Sequence, residues 1–295
     1  MTQFNDELAP PFSIAEPPAW RAPIIFNSPH SGSIYPREFL AASRIDVAAL
    51  RRSEDSFMDE LIGHLCDRRV PVVSVNFPRS YVDVNREPYE LDPRMFAGRL
   101  PSFANTRSMR VAGGLGTIPR VVGDGQEIYR ERLDVDDALN RIEMLYKPYH
   151  RALRRLINKA HSAFGTAILV DCHSMPSVGV SRDEPPRPDV VVGDRYGTSC
   201  TAVLRDRVED TLSALGYSIG RNKPYAGGFI TEHYGNPASG LHAVQLEVNR
   251  ALYMDERRYA RTAGFARVAV DMEVLARRLG EIPLEELRPY RAAAE

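Results

Sequence analysis

Four apolar runs in this 295-residue chain each end in a tight cluster of side chains that can do chemistry. Ile24-Ile25-Phe26 leads into Asn27-Ser28-Pro29-His30-Ser31-Gly32, and Tyr81-Val82-Asp83-Val84 leads into Asn85-Arg86. Ile168-Leu169-Val170 leads into Asp171-Cys172-His173-Ser174, and Val244-Gln245-Leu246 leads into Glu247. Two strand-end histidines plus one carboxylate make a three-ligand zinc site that keeps a position open for water. His30 and His173 are the natural pair. For the carboxylate, Asp55 in Arg52-Ser53-Glu54-Asp55-Ser56 is favoured over its neighbour Glu54. The competing reading of Asp55 is an acid at the start of a helix, facing unpaired backbone N–H groups. A lone histidine is often no more than a hydrogen-bonded residue, so the weight rests on the two together.

Glu247 stands in an apolar strand pattern, where an ionised carboxylate is costly unless it is paired or used. It is either a general base acting on metal-bound water or one half of an ion pair with an arginine such as Arg250. Asp83 and Asp171 can accept the ring N–H of a ligand histidine or bond an arginine, and equally can be structural acids at strand ends. Arg86 and Arg79 can each grip a substrate carboxylate through two parallel hydrogen bonds, with a surface ion pair as the alternative. Ser31 and Ser174 lie outside any small-residue nucleophile turn. Cys172 and His173, as neighbours on a strand, point to opposite faces, which leaves Cys172 as a small core residue.

These clusters need a scaffold that brings them to one place. Ile24–Asn27, Val70–Val75, Tyr81–Val84, Thr166–Asp171, Val190–Val192 and Ala243–Val248 read as strands, several of them apolar throughout, as buried strands are. Phe57, Met58, Leu61, Ile62 and Leu65 make one helical stripe. Leu139, Ile142, Leu145, Tyr149, Leu153, Leu156 and Ala160 make a longer one, which Pro148 is expected to kink. Further helices fit Thr201–Leu215 and Asp255–Leu279. The alternating order predicts an α/β fold with a sheet covered on both faces, where ligands collect at the carboxyl ends of strands. Glu87–Gln126 and Met175–Pro188 are weakly periodic and read as functional loops. Gly113, Gly114 and Gly116 lack the spacing and the leading strand of a dinucleotide loop.

With 43% hydrophobic residues the chain can bury a large core, and no internal boundary is visible, so residues 1–295 read as one domain with 1–20 as an extended N-terminal segment. Lys plus Arg number 38 against 39 for Asp plus Glu; a net charge of −1 gives no field for gathering nucleic acid or an anionic membrane. No stretch approaches the roughly 20 apolar residues of a membrane span, and Met1–Trp20 lacks the basic start and apolar run of a signal peptide. Three cysteines without paired spacing fit a reducing cytoplasm better than a disulfide framework.

Taken in order, Pro29-His30-Ser31-Gly32, Glu54-Asp55, Tyr81 to Arg86, Asp171-Cys172-His173-Ser174, Gly228-Phe229-Ile230-Thr231-Glu232-His233-Tyr234-Gly235 and the run His242–Tyr253 resemble the N-formylglutamate amidohydrolase family. The resemblance covers His30 to Met254 and is specific as a set. It implies a fold like that of the zinc carboxypeptidases (phosphorylase/hydrolase-like), a three-layer α/β/α sandwich with a mixed central sheet. It also implies a zinc ion held by His30, Asp55 and His173, Glu247 as the catalytic carboxylate, Asn85 with Arg86 as binders of a substrate carboxylate, and a place in histidine degradation. Ser33, three residues after His30, stands where the carboxypeptidases carry their acid. The loops Glu87–Arg120 and Met175–Pro188 match the better-known deformylases poorly, which leaves the acyl group and the amino acid open. The expected activity is zinc-dependent hydrolysis of an N-acyl amino acid, N-formyl-L-glutamate first. A deacylase or carboxypeptidase-like activity on another N-acyl amino acid or peptide, or a non-catalytic carboxylate-binding protein, are the alternatives.

Overall fold

A computed structural model describes residues 6–123, 125–178 and 186–289; residues 179–185 of the expected Met175–Pro188 loop lie outside these described residues. The chain divides into two compact units, each made of three separated stretches: the first of residues 1–13, 29–56 and 74–154, the second of residues 14–28, 57–73 and 155–295.

The unit formed by residues 14–28, 57–73 and 155–295 is dominated by a seven-stranded sheet. Its strands are β1 (Phe12–Ala15), β2 (Ile24–Ser28), β3 (Val72–Val75), β4 (Ala167–Met175), β5 (Val190–Gly193), β6 (Ile219–Arg221) and β7 (Leu241–Asn249). Their order across the sheet is β1-β3-β2-β4-β7-β5-β6. β2, β4 and β7 run parallel, and β5 is antiparallel to β7, so the sheet is mixed. Helices surround it, giving the expected α/β architecture.

Side chains on a strand alternate between faces, and the two faces here have different chemistry. Ile24 and Phe26 of β2, Ile168, Val170 and Cys172 of β4, and Val244, Leu246 and Val248 of β7 join one apolar core. The helices that complete that core are Met58–Gly63, Ala202–Ala214 and Gly264–Leu279, through residues such as Leu61, Leu204, Val208, Met272 and Leu275. Cys172 is thus the core residue its position suggested. The intervening residues Asn27, Asp171, His173, Gln245 and Glu247 leave from the other face.

The unit formed by residues 1–13, 29–56 and 74–154 is built mainly from short helices and irregular chain. Phe39, fully buried, packs on the rings of Tyr35, Tyr81 and Tyr129. Arg141 lies 4.1 Å from the Tyr81 ring centroid and is also buried. Its charge is met by the Tyr129 hydroxyl at 2.9 Å and the Asp137 carboxylate at 2.5 Å.

Several elements differ from the sequence reading. Tyr81–Val84 is not a strand. Tyr81 and Val82 turn their N–H groups back to the Pro78 carbonyl, and Asp83 donates its own to Thr117 O. The run is apolar because it is buried, not because it is paired in a ladder. The helix expected over Asp255–Leu279 begins only at Gly264. The Asp255 carboxylate accepts from the N–H groups of Arg257 and Arg258, and Met254–Asp255 pairs with Ala260–Arg261, so this stretch folds into a local turn first. The kink expected at Pro148 takes the form of a π turn, Ile142–Tyr146, between the helices Val135–Arg141 and Lys147–Phe164. β4 and β7 extend past their expected ends, because their parallel register continues unbroken to Met175 opposite Asn249. Within the N-terminal 20 residues, Phe12–Ala15 forms the edge strand β1. Among the described residues no helix is long and apolar enough to cross a membrane.

Leu246 faces the apolar core and is flanked in sequence by Gln245 and Glu247 on the other face. Leu246→Ala is expected to cost about 2–5 kcal/mol of stability. Chemical denaturation should show that loss.

Candidate active site

In the first unit, His30 follows β2 at the end of a turn that only glycine can close. A Cβ on Gly32 would sit 2.1 Å from the Phe77 carbonyl oxygen, so the His30-Ser31-Gly32 backbone is pressed against the chain at Phe77. The His30 carbonyl accepts the Asp55 N–H at 3.0 Å, which ties the two residues together through the main chain. His30 Nε2 donates to Asp83 Oδ1 at 2.8 Å. In that tautomer Nδ1 carries the lone pair, and it faces Asp55 Oδ2 at 3.6 Å.

Asp83 is the hub of this cluster. Besides His30 it receives Arg79 Nη2 at 2.8 Å and the Asn85 N–H at 2.9 Å, with Arg86 Nη2 at 3.6 Å. Burial raises the Asp83 carboxyl, but Arg86, Arg79 and His30 outweigh it and hold the group well below the usual carboxylate range. Burial likewise pulls the Arg86 guanidinium down to about 10 against the pull of Asp83, so it stays cationic at neutral pH. Arg86 also donates to the carbonyls of Leu115 and Asn85, and Arg110 reaches the Asn85 carbonyl at 3.4 Å. The main chain of this segment is held from a distance. Tyr146 Oη donates to Arg86 O at 2.7 Å, and His150 Nε2 donates to Val84 O at 2.9 Å. Tyr146 is the last residue of the π turn.

In the second unit, β4 and β7 place His173 opposite Glu247 and Asp171 opposite Gln245. Partners in register on adjacent parallel strands project from the same face. His173 Nε2 donates to Asp171 Oδ2 at 3.0 Å, and Asn27 Nδ2 donates to Asp171 Oδ1 at 2.7 Å. Gln245 Oε1 accepts from Gly228 N at 2.8 Å and from Thr231 Oγ1 at 3.4 Å, which fixes its amide orientation. Its Nε2 therefore donates to Glu247 Oε1 at 2.8 Å. Gly228 and Thr231 belong to the Gly228–Gly235 motif, which here reaches Glu247 through Gln245. Arg250 donates from Nε to Ser174 Oγ at 3.0 Å.

The ligand-capable atoms of His30, Asp55 and His173 lie within 4.8 Å of one another, and all three side chains are buried. Two imidazoles and one carboxylate form a donor set suited to a divalent transition metal. Each histidine has its Nε2 engaged by an aspartate, which leaves Nδ1 as the ring atom that would be offered to a metal. The residues fit a metal. The Glu54 carboxylate lies elsewhere in the arrangement, accepting from Tyr35 at 2.5 Å, Ser56 at 2.8 Å and Arg51 at 3.1 Å.

Gln245, Tyr146 and His150 were given no role in the sequence. For Gln245 a signal was there, since an amide two residues before Glu247 in an apolar strand shares its face. The contacts of Tyr146 and His150 join residues 60 and 66 apart and leave no local pattern.

A mixed sheet with a buried group able to hold a metal, and a buried glutamate in register with one of its histidines, defines a hydrolase-type α/β site. Comparison with known proteins identifies the branch. The model of the N-formylglutamate amidohydrolase family matches residues 22–254. The chain is 30% identical over 239 residues to an N-formylglutamate deformylase of Pseudomonas putida, covering 80% of this chain and 83% of that one. A deformylase of the same name from Pseudomonas aeruginosa is also 30% identical, over 80% of this chain and 84% of the relative. The crystal structure of an N-formylglutamate amidohydrolase from Ralstonia eutropha JMP134 superposes with a TM-score of 0.86 at 33% identity, covering 92% of this chain and 97% of that one. A gene product of Agrobacterium tumefaciens shares the fold, with a TM-score of 0.61 at 19% identity and coverage of 92% and 95%. The chain belongs to the N-formylglutamate amidohydrolase family and is an amidohydrolase.

Because Asp83 and Asp171 orient the two histidines, Asp83→Asn and Asp171→Asn are each expected to weaken metal binding by about 10–100-fold. A competition titration against a chromophoric chelator measures this. Unaltered affinity in both folded variants would remove the aspartates from that role.

Proposed function

We propose that this chain hydrolyses the amide bond of an N-acyl amino acid, N-formyl-L-glutamate in the first place, giving formate and L-glutamate. The observation that carries the reading is the buried His30, Asp55 and His173 group, within a family whose relatives are named for that substrate. His30, Asp55 and His173 would hold zinc, with Asp83 and Asp171 fixing the histidine rings. When bound, zinc supplies a Lewis acid for the substrate carbonyl and acidifies water. Glu247 takes the proton of the attacking water and delivers it to the departing amide nitrogen. The Gln245 amide holds one oxygen of that carboxylate in place.

Asn85, Arg86 and Arg79 bind the substrate carboxylate in this reading. Three arginines, Arg79, Arg86 and Arg110, gather around Asp83 and the Asn85 carbonyl, so a positive excess remains for an anionic substrate. Arg79 is the more exposed of the first two, its side chain 24% accessible against 12% for Arg86. Arg79 is therefore the better placed to meet a ligand, with Arg86 supporting from behind. Each compact unit is assembled from three separated stretches of chain, which supports reading residues 1–295 as one amidohydrolase domain. Cys66, Cys172 and Cys200 are all free thiols, which supports a cytoplasmic setting. A place in histidine degradation follows from the proposed substrate.

Elemental analysis of the purified protein should find about one zinc per chain, and an assay on N-formyl-L-glutamate should release formate. Glu247→Gln is expected to keep the metal and the fold while turnover falls by about 10² to 10⁴-fold. Near-normal turnover in that variant would return Glu247 to a structural role, and absence of formate release by the zinc-loaded wild type would direct the search to other N-acyl groups.

Arg86→Lys retains the charge but not the planar two-bond geometry, and a loss of about 30-fold or more in kcat/KM is expected. A double-mutant cycle with a substrate whose carboxylate is converted to an amide checks the contact, and the same cycle on Arg79→Lys ranks the two arginines. Additive losses exclude direct contact with that carboxylate.

A further inference from the structure

Five arginines that the reaction does not use surround a cavity of about 160 Å³ in the first compact unit. Arg44, Arg94, Arg120, Arg130 and Arg132 line it together with Glu127 and Glu131. We propose that this cavity is a second ligand site, built for a compact dianion: an inorganic oxyanion of the size of phosphate or a short dicarboxylate.

The first argument is charge. Five guanidiniums face two lining carboxylates and the buried Asp92 beneath them, an excess of two positive charges. The acids are shared rather than matched one to one. Glu127 accepts from Arg44 at 2.8 Å and from Arg120 at 3.0 Å, while Asp92 accepts from Arg94 at 2.8 Å and from Arg120 at 2.9 Å. Each guanidinium has five N–H donors, so two acids divided among three arginines leave donors over. Arg130 gives its Nε to the Ser43 carbonyl, which adds no negative charge, and Arg132 brings a fifth cation.

The second argument is construction. A loose surface cluster would place its arginines on independent side chains, but here the main chain holds three of them in a short ladder. Arg44 N donates to Ile128 O at 2.7 Å, Arg130 N to Ala42 O at 3.0 Å, and Ile128 N to Arg120 O at 2.8 Å. The bridges Ser43 to Tyr129 and Val121 to Glu127 complete it. Arg120 is the floor, 20% accessible and bonded to Asp92, which is itself only 3% accessible. Arg44 and Arg94 are the rim, 48% and 61% accessible. A site with a fixed base and open lip admits a ligand without a large ordering cost.

The third argument is size. Pockets for drug-sized ligands begin near ~300 Å³, so this cavity suits a small ion and not a nucleotide. Planar guanidinium forks match the two oxygens of a carboxylate or phosphate edge, and two negative charges balance the local excess.

The test uses the full-length, metal-loaded protein. Thermal stability and isothermal titration are followed with inorganic phosphate, succinate and chloride at matched ionic strength. Phosphate or succinate should bind saturably at one per chain and raise the melting temperature, chloride should not, and the stronger dianion identifies the ligand's chemistry. In Arg44→Gln/Arg132→Gln, affinity should fall about tenfold or more while amide hydrolysis is unchanged. Both side chains are exposed, and Arg94→Gln/Arg132→Gln serves as a second variant if the first melts early without ligand. Absence of saturable binding by either dianion beyond the chloride response overturns the proposal. Undiminished binding in the double variant also overturns it, because the anion then sits at the metal or at Arg79 and Arg86 instead.

Discussion

A carboxylate buried as fully as Asp83 is tolerable only while cations and N–H groups are aimed at it. Much of the first unit is arranged to satisfy that condition. Arg79 and Arg86 supply the charge, the Asn85 N–H closes a tight turn on Oδ1, and His30 donates its Nε2 proton. Each of those groups is then constrained by the others. His30 cannot rotate without abandoning Asp83, and Arg86 cannot leave without exposing an uncompensated buried charge. Tyr146 and His150 hold the backbone carbonyls of Arg86 and Val84, so the geometry of the hub is transmitted to a helix more than fifty residues along the chain.

The second unit meets the complementary problem, a row of polar groups inside a sheet whose strands are buried on both faces. Its solution is complete hydrogen bonding along a single face. Asn27, Asp171 and His173 form one chain of partners; Gly228, Thr231, Gln245 and Glu247 form another. Alternation does the sorting, since the residues between them are packed in the apolar core. The parallel register then fixes which member of one chain stands beside which member of the other, His173 opposite Glu247.

The strands β2, β4, β5 and β7 were legible because their apolar content and period agree. The helix expected over Thr201–Leu215 forms as Ala202–Ala214, and Thr201 caps it by accepting from Leu204 N. The histidine pair and Asp55 could be singled out because their chemistry is scarce in such surroundings. Tyr81–Val84 misled because buried irregular chain and buried strand have the same composition. Asp255–Ala263 misled because an aspartate that bonds the next N–H groups competes with the helix its neighbours favour. His173 and Glu247 read as strand-end residues because a polar residue ordinarily closes an apolar run. In fact the period continues through them and only the facing environment changes. Nothing local could announce Tyr146, His150 or the sharing of acids among Arg44, Arg94 and Arg120, since each depends on segments brought together by the fold.

The irregular stretch of residues 87–123 touches the Asp83 hub through the Thr117 carbonyl on the Asp83 N–H, the Leu115 carbonyl on Arg86 and the Arg110 side chain on the Asn85 carbonyl. The sheet holds His173 and Glu247 through main-chain pairing, which tolerates neither insertion nor deletion, because a shift of one residue would exchange the two faces. A loop has no such restriction. The polar row of the sheet and the surroundings of the Asp83 hub are thereby heritable as separate traits. Descendants of this fold can lengthen, shorten or rewrite residues 87–123 and so retune the guanidinium beside Asn85, while the hydrogen-bonded polar row on the central strands passes on unaltered.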